Sequence, residues 1–289
     1  QDAEINYAFE TGTSVVLESQ SDVDFNGAQL LSTSASPLSF TVNAEGWITG
    51  LGFSITTQGG ALDMAFNANA SGGNGAIRFA DATLSSSGGN ISMYGDSDPV
   101  VGTASSYGTG IALADTTITT DGGDVLIRGS SNGARAGFDD AGVVLDATDI
   151  DAGSGAIDIY GLGAGDTSGV IALNSRLVAG SVGIDGTAED GGDGVNLYYI
   201  DIDAGIGDVT IDGQSVDGDG LYAYGSNVVT AGGNIALTGI GGAQGADFDG
   251  DSNQLYSYGG DILVRGEGGT GAGVYFSGQV NSDGGDITM

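Results

Sequence analysis

The residues best suited to chemistry lie between Asp247 and Asn253, where Asp247, Asp249, Asp251 and Asn253 alternate with Phe248, Gly250 and Ser252. Three carboxylates and an amide spaced around a glycine are hard oxygen donors on a pliable loop, a pattern that suits calcium. An EF-hand would add a bidentate Glu at the twelfth position, which here is Tyr258. The same string also reads as a solvated Asp turn, so calcium and a bare acidic corner both stand. Asp217 with Asp219, Glu189 with Asp190 and Asp193, and Asp201 with Asp203 read as solvated corners. Asp139 and Asp140 could supply half of the carboxyl pair that glycoside hydrolysis needs, but nothing sets them apart from the other acids. Seven tyrosines, Tyr198, Tyr199, Tyr222, Tyr224, Tyr256, Tyr258 and Tyr275, gather toward the C-terminus. Such a strip could stack on the sugar rings of a surface glycan, pack against a neighbouring filament, or simply stack between strands.

Composition removes much other chemistry. The 289 residues include 38 acidic and only five basic side chains, all Arg, for a formal charge of −33, and there is no Lys, His or Cys. Without His the usual serine and cysteine triads are excluded. Without Lys there is no Schiff base, and without Cys no disulfide or thiolate metal site. The summed field repels polyanions, so no nucleic-acid partner is expected. Forty per cent of residues are apolar and mean hydropathy is slightly positive, so a buried core is expected rather than disorder. No apolar run reaches the length of a membrane span, and no membrane insertion is expected. Gln1 stands where an initiator Met would, and removal of a secretion signal is the simplest account.

The elements that must position these residues are repeats. GGNISMYG at Gly88, GGDVLIRG at Gly122, GGNIALTG at Gly232, GGDILVRG at Gly259 and GGDITM at Gly284 are the clear copies. Weaker ones begin at Gly59, Gly153, Gly180 and Gly205. Six positions before the residue that follows the glycine motif stands an apolar residue in eight of the nine units, Ile55, Leu84, Ile118, Ile150, Ile202, Val228, Leu255 and Val280, and in the unit at Gly180 Leu177 stands three before the glycine. The intervals between them range from 25 to 34 residues, so insertions must fall in loops. Between these marks lies a third stretch, usually Gly followed by apolar-x-apolar: Ile77 and Phe79, Ile111 and Leu113, Val143 and Leu145, Ile171 and Leu173, Val195 and Leu197, Val274 and Phe276.

Three short alternating stretches per unit of about 27 residues, with no helical periodicity, predict an all-β fold. It is a right-handed parallel β-helix, a solenoid with three short strands per coil and about nine coils; the hand is taken from the general preference of parallel crossovers. The glycine pair suits a sharp corner with positive φ. Residues 1–54 lack the glycine-pair signature, although Thr13 to Glu18 and Leu38 to Val42 alternate, and they are expected to form an N-terminal cap with an irregular first coil; residues 55–289 carry the repeats. Gly284 to Met289 supplies one strand of the ninth coil, and its bare edge is expected to take either further chain or another copy. Stacking should place Asp261 over Asp286, with repulsion on the order of 1 kcal/mol at about 4.8 Å in water. Divalent cations or salt are therefore expected to stabilise the stack. Arg128 and Arg265 share a repeat position, which predicts strand-end charge partners.

The units GGDVLIRG … GVVLDATDIDAG and GGDILVRG … GVYFSGQVNSDGG resemble the repeats of the filamentous haemagglutinin-like family of secreted bacterial surface proteins, over about Ile55 to Met289. The Asn-Pro-rich motifs of that family's secretion domain are absent near the N-terminus. The resemblance implies a right-handed parallel β-helix exported to the bacterial cell surface, working as an adhesin or filament. The expected function is thus non-catalytic: an extracellular stalk, adhesin or filament subunit whose partners are copies of itself or adjoining repeats of a longer chain. The alternative is a carbohydrate-binding or carbohydrate-cleaving β-helix domain of a larger secreted protein.

Overall fold

The computed structural model describes residues 2–70, 74–96, 98, 100–106, 108–133 and 140–289. The chain is a parallel β-solenoid of about ten turns with one short helix at its N-terminus. Most coils carry three strands. The first strands run from Val15–Ser19 through Leu38–Ala44 and Leu62–Ala68 to Ile262–Gly268 and Ile287–Thr288, each pairing in parallel with its counterpart one coil on. The second and third strands form the other sheet as two files, for example Ile77–Ala80 beneath Ile111–Ala114, and Thr83–Ser85 beneath Thr117–Thr119.

Alternation explains why these residues form this stack. The nine apolar marks fall in a single file, each paired with the next from Ile55↔Leu84 to Leu255↔Val280. Leu30 extends it by one coil. Ile118, Ile150, Leu177 and Val228 are buried, and Val280 in the last coil is partly covered. In the second-strand file one pair differs from the sequence reading. Val170 and Ala172 face the core, in register with Val143 and Leu145 before them and Val195 and Leu197 after, so Ile171 and Leu173 lie on the outer side. All four are apolar, so alternation alone does not choose. Gly169 marks the register: it stands where Gly142 and Gly194 precede Val143 and Val195, and a Cβ on it would lie 2.4 Å from the Thr187 amide nitrogen of the next coil.

The glycine pair has two jobs, one for each glycine. At Gly232 φ is +117°, a conformation that L side chains rarely adopt, and open space surrounds the missing Cβ. At Gly233 a Cβ would stand 1.9 Å from the carbonyl oxygen of Gly207 in the coil below. The first glycine turns the corner and the second lets successive corners touch. A buried hydroxyl closes the turn, with Thr230 Oγ1 donating to the Gly233 carbonyl at 2.5 Å.

Residues 1–54 depart from the expected irregular cap. Regular coils begin at Val15, and Val15–Ser19 pairs with Leu38–Ala44 without a shift. Only helix α1 (Asp2–Glu10) closes the end, laying Ile5 and the fully buried Phe9 over the first coil. The core there is aromatic: Phe9, Phe25, Phe40, Phe53, Phe66 and Phe79 pack edge-on or stacked with centroids 4.9 to 6.4 Å apart. Phenylalanine fills these inward positions where later coils use mainly aliphatic residues.

Candidate functional site

The string Asp247 to Asn253 interrupts the strand Ala246–Tyr256, whose pairing with Val274–Asn281 shifts register between Phe248 and Asn253. Phe248 is buried and packs against Phe276 with ring centroids 5.1 Å apart. The four predicted ligands do not converge, and among the described residues no group of three or more carboxylates is placed to hold a metal ion. Asn253 is fully buried and is structural. Its Nδ2 donates to the carbonyls of Asp249 (2.7 Å), Gly250 (3.1 Å) and Ser277 (3.2 Å), and its Oδ1 accepts the Ser226 amide at 3.0 Å. Asp251 accepts from Ser277 Oγ at 2.8 Å, and Asp249 accepts the Gly250 amide at 2.8 Å. Asp247 alone turns into a different cluster.

That cluster lies on the outer face of the second-strand file. One row of the register reads Asn196, Tyr222, Asp247, Tyr275; the next reads Tyr198, Tyr224, Asp249. Tyr198 lies 5.3 Å from Tyr222 and 6.0 Å from Tyr224, and Tyr199 meets Tyr224 edge-on at 5.4 Å. Glycines make room for these rings: a Cβ on Gly225 would strike Tyr199 at 2.6 Å, and one on Gly250 would strike Tyr224 at 2.7 Å. Along the edge runs a ladder in which each side chain accepts the amide of the next coil. Ser168 Oγ takes Asp193 N (3.1 Å), Asp193 Oδ1 takes Asp219 N (3.0 Å), and Asp219 Oδ1 takes Gln244 N (2.9 Å). Asn196 Nδ2 donates to Asp193 Oδ2 at 2.9 Å, and Gln244 Nε2 donates to Asp247 Oδ2. Asp247 is 6% exposed and its Oδ1 has no hydrogen-bond partner.

Burial, then the charges of Asp219 and Asp249 and more weakly Asp193, raise the Asp247 pKa to about 6 against the opposing bond from Gln244. Burial and the nearby Asp219 charge raise Asp193 despite the Asp219 amide, and burial, Tyr198 and the two carboxylates hold the Tyr222 phenol above its usual range. A carboxyl whose folded pKa exceeds its unfolded value near 3.8 favours the fold below that value and loses this contribution as pH rises through about 6. Asp247→Asn should therefore raise stability at pH 7.5 by about 1–2 kcal/mol, allowing for solvent screening, and narrow the gain the wild type shows on going to pH 5. Denaturant unfolding at both pH values checks this. An unchanged pH dependence in the variant would remove Asp247 as the cause. Asp158 and Asp185, both raised by burial and by a neighbouring Asp, leave a residual slope.

The other sequence candidates fall elsewhere. Asp139 lies outside the described residues, and Asp140 precedes the strand Ala141–Asp146. Asp261 and Asp286 do stack, but not merely as repelling charges. Asp261 Oδ1 accepts the Asp286 amide at 2.8 Å, continuing a ladder in which Asp208 takes Asn234 N at 2.7 Å and Asn234 takes Asp261 N at 2.9 Å. A carboxylate that accepts a backbone N–H forms a strong charge-assisted bond, so the row ties coils together. Arg265 pairs with Glu267, whereas Arg128 lies over the Tyr160 ring at 4.2 Å. A polar groove lined by Glu18, Asn43, Asn67 and Tyr94 marks the first-strand face near the N-terminus, where Asn67 donates to Asn43 (3.1 Å) and Asn43 to Glu18 (2.9 Å). No protein-family model, no curated protein and no solved structure matches the chain, so the geometry above stands without a relative to interpret it.

Proposed function

We propose that this chain is a non-catalytic extracellular protein, a rod-shaped stalk, adhesin or filament subunit displayed on a bacterial surface, as its repeats' resemblance to the filamentous haemagglutinin-like family implies. The observation that carries this reading is the parallel pairing of coil on coil through about ten turns, which continues across the register shift between Phe248 and Asn253. At about 4.8 Å per coil this is a stiff body close to 48 Å long, held by backbone pairing at every step. Long persistent β-stacks suit spacing and display, because each coil added extends the reach without a new core design. The charge of −33 keeps such rods apart in solution.

Immunogold labelling of intact source cells, with electron microscopy of shed material, tests the reading. Label on the outer surface together with rods or uniform fibres is expected. Label confined inside the cell, or release of reducing ends from neutral or acidic polysaccharides by the purified protein, would overturn it.

A further inference from the structure

We propose that the tyrosine and carboxylate face formed by Asn196, Tyr198, Tyr222, Tyr224, Asp247 and Tyr275 binds a neutral polysaccharide lying along the solenoid axis. The inference rests on the adhesive reading above and names the partner.

Three features carry it. Within one row, two tyrosines flank a carboxylate: Tyr222, Asp247 and Tyr275 occupy successive coils. The coil spacing of about 4.8 Å is close to the length of one pyranose unit, so a sugar stacked on one ring sets its neighbour over the carboxylate. Phenol rings stack on the apolar face of a sugar while their hydroxyls reach its edge. Second, Asp247 is 6% exposed with Oδ1 unpartnered, and Asn196 Oδ1 in the same row is also buried and unpartnered. A buried acceptor without a donor is costly, and a sugar hydroxyl supplies that donor. Third, the rings are held in place rather than loosely exposed. Tyr199 adopts φ 51° at a turn where the neighbouring coils use Asn174 and Gly225, and Tyr199 and Tyr224 lie over the glycines of the next coil.

Charge selects the class of glycan. Asp193, Asp219, Asp247 and Asp249 line the face, and the protein carries a large negative charge, so uronic acids and sulfated sugars are repelled. Hydroxyl-rich neutral chains donate to the carboxylates without that cost.

The test is affinity electrophoresis followed by titration calorimetry with three soluble neutral polysaccharides, mixed-linkage β-glucan, xyloglucan and galactomannan, against polygalacturonate as the anionic counterpart. At least one neutral polymer should retard the wild type while polygalacturonate does not. Tyr275→Ala, at an exposed position, and Tyr222→Ala should each weaken that binding about tenfold. Tyr258→Ala, an exposed ring at a glycine corner, should leave it unchanged. Circular dichroism confirms that the variants fold, and Tyr275→Ala keeps the test alive if Tyr222→Ala does not. Absence of retardation by all three neutral polymers, preference for polygalacturonate, or strip variants that bind like wild type would each overturn the site. None of these results touches surface display, which is decided by the labelling experiment.

Discussion

Gly233→Ala is expected to lower the stability of the protein by on the order of 3 kcal/mol or more, whereas Gly232→Ala, one residue away, should cost only about 1–2 kcal/mol. The same methyl group meets two different constraints. At Gly232 it enters open space, and the penalty is the left-handed backbone at φ +117°. At Gly233 it would stand 1.9 Å from the Gly207 carbonyl oxygen and 2.4 Å from its carbon. Nothing flexible is there to yield. The corner must lift away from the coil below, which strains the amide of Asn234 on Asp208 and the Thr230 hydroxyl on the Gly233 carbonyl. In a solenoid each coil is stabilised by its two neighbours, so opening one interface weakens both flanks. Equilibrium denaturation of the two variants, with m-values compared to detect partial unfolding, checks this. If Gly233→Ala proves as mild as Gly232→Ala, direct backbone contact between successive corners is wrong.

The coil arithmetic was readable because two independent signals agreed: the glycine motif, and an apolar residue at a nearly constant distance before it. Both follow from steric facts that tolerate few residue types, a corner without Cβ and a narrow interior that only Ile, Leu or Val fills. Where those constraints relax, the pattern fades. Before Ile55 the corner that Gly59 and Gly60 form one coil on is made by Ser34, Ala35 and Ser36, so these coils look irregular in sequence although Phe25, Phe40 and Phe53 fill a regular interior. Ile171 and Leu173 misled for a different reason. Both alternating pairs fit the apolar-x-apolar pattern, but the residue directly after the glycine faces inward in that file, which gives Val170.

The site was harder to see because it is made by stacking. Asn196, Tyr222, Asp247 and Tyr275 are about 26 residues apart in sequence and form a face only once the register is fixed. A usable signal did exist for Asn253. Two positions before each apolar mark must point inward by strand alternation, and the marks Ile118, Ile150, Leu177 and Val228 put Thr116, Thr148, Ser175 and Ser226 there, all buried. By the same count Leu255 puts Asn253 inside, as the member of this hydroxyl row long enough to span an insertion.

Asn253→Asp separates the structural role from the calcium role with opposite signs. The amide nitrogen serves three carbonyl oxygens, and an aspartate would replace that donor with an acceptor facing the same three oxygens at full burial. Either a buried charge is left opposed or the carboxyl takes up a proton and satisfies one carbonyl of three. The loss should be about 3–5 kcal/mol, in the range found when a buried polar network is broken and a charge left uncompensated. Asn253→Ser, which installs the residue of the preceding coil, keeps an acceptor for the Ser226 amide and should cost less, about 1–2 kcal/mol. Were Asp247, Asp249, Asp251 and Asn253 a ligand loop, a fourth carboxylate would instead tighten calcium, since affinity rises with the charge of the ligand set. Thermal melts of the wild type and both variants, with and without millimolar calcium, read the difference directly. A lower melting temperature for Asn253→Asp that calcium does not restore is the expected result. Recovery by calcium to or above the wild-type value would return the loop to metal binding and displace the hydrogen-bond account of Asn253.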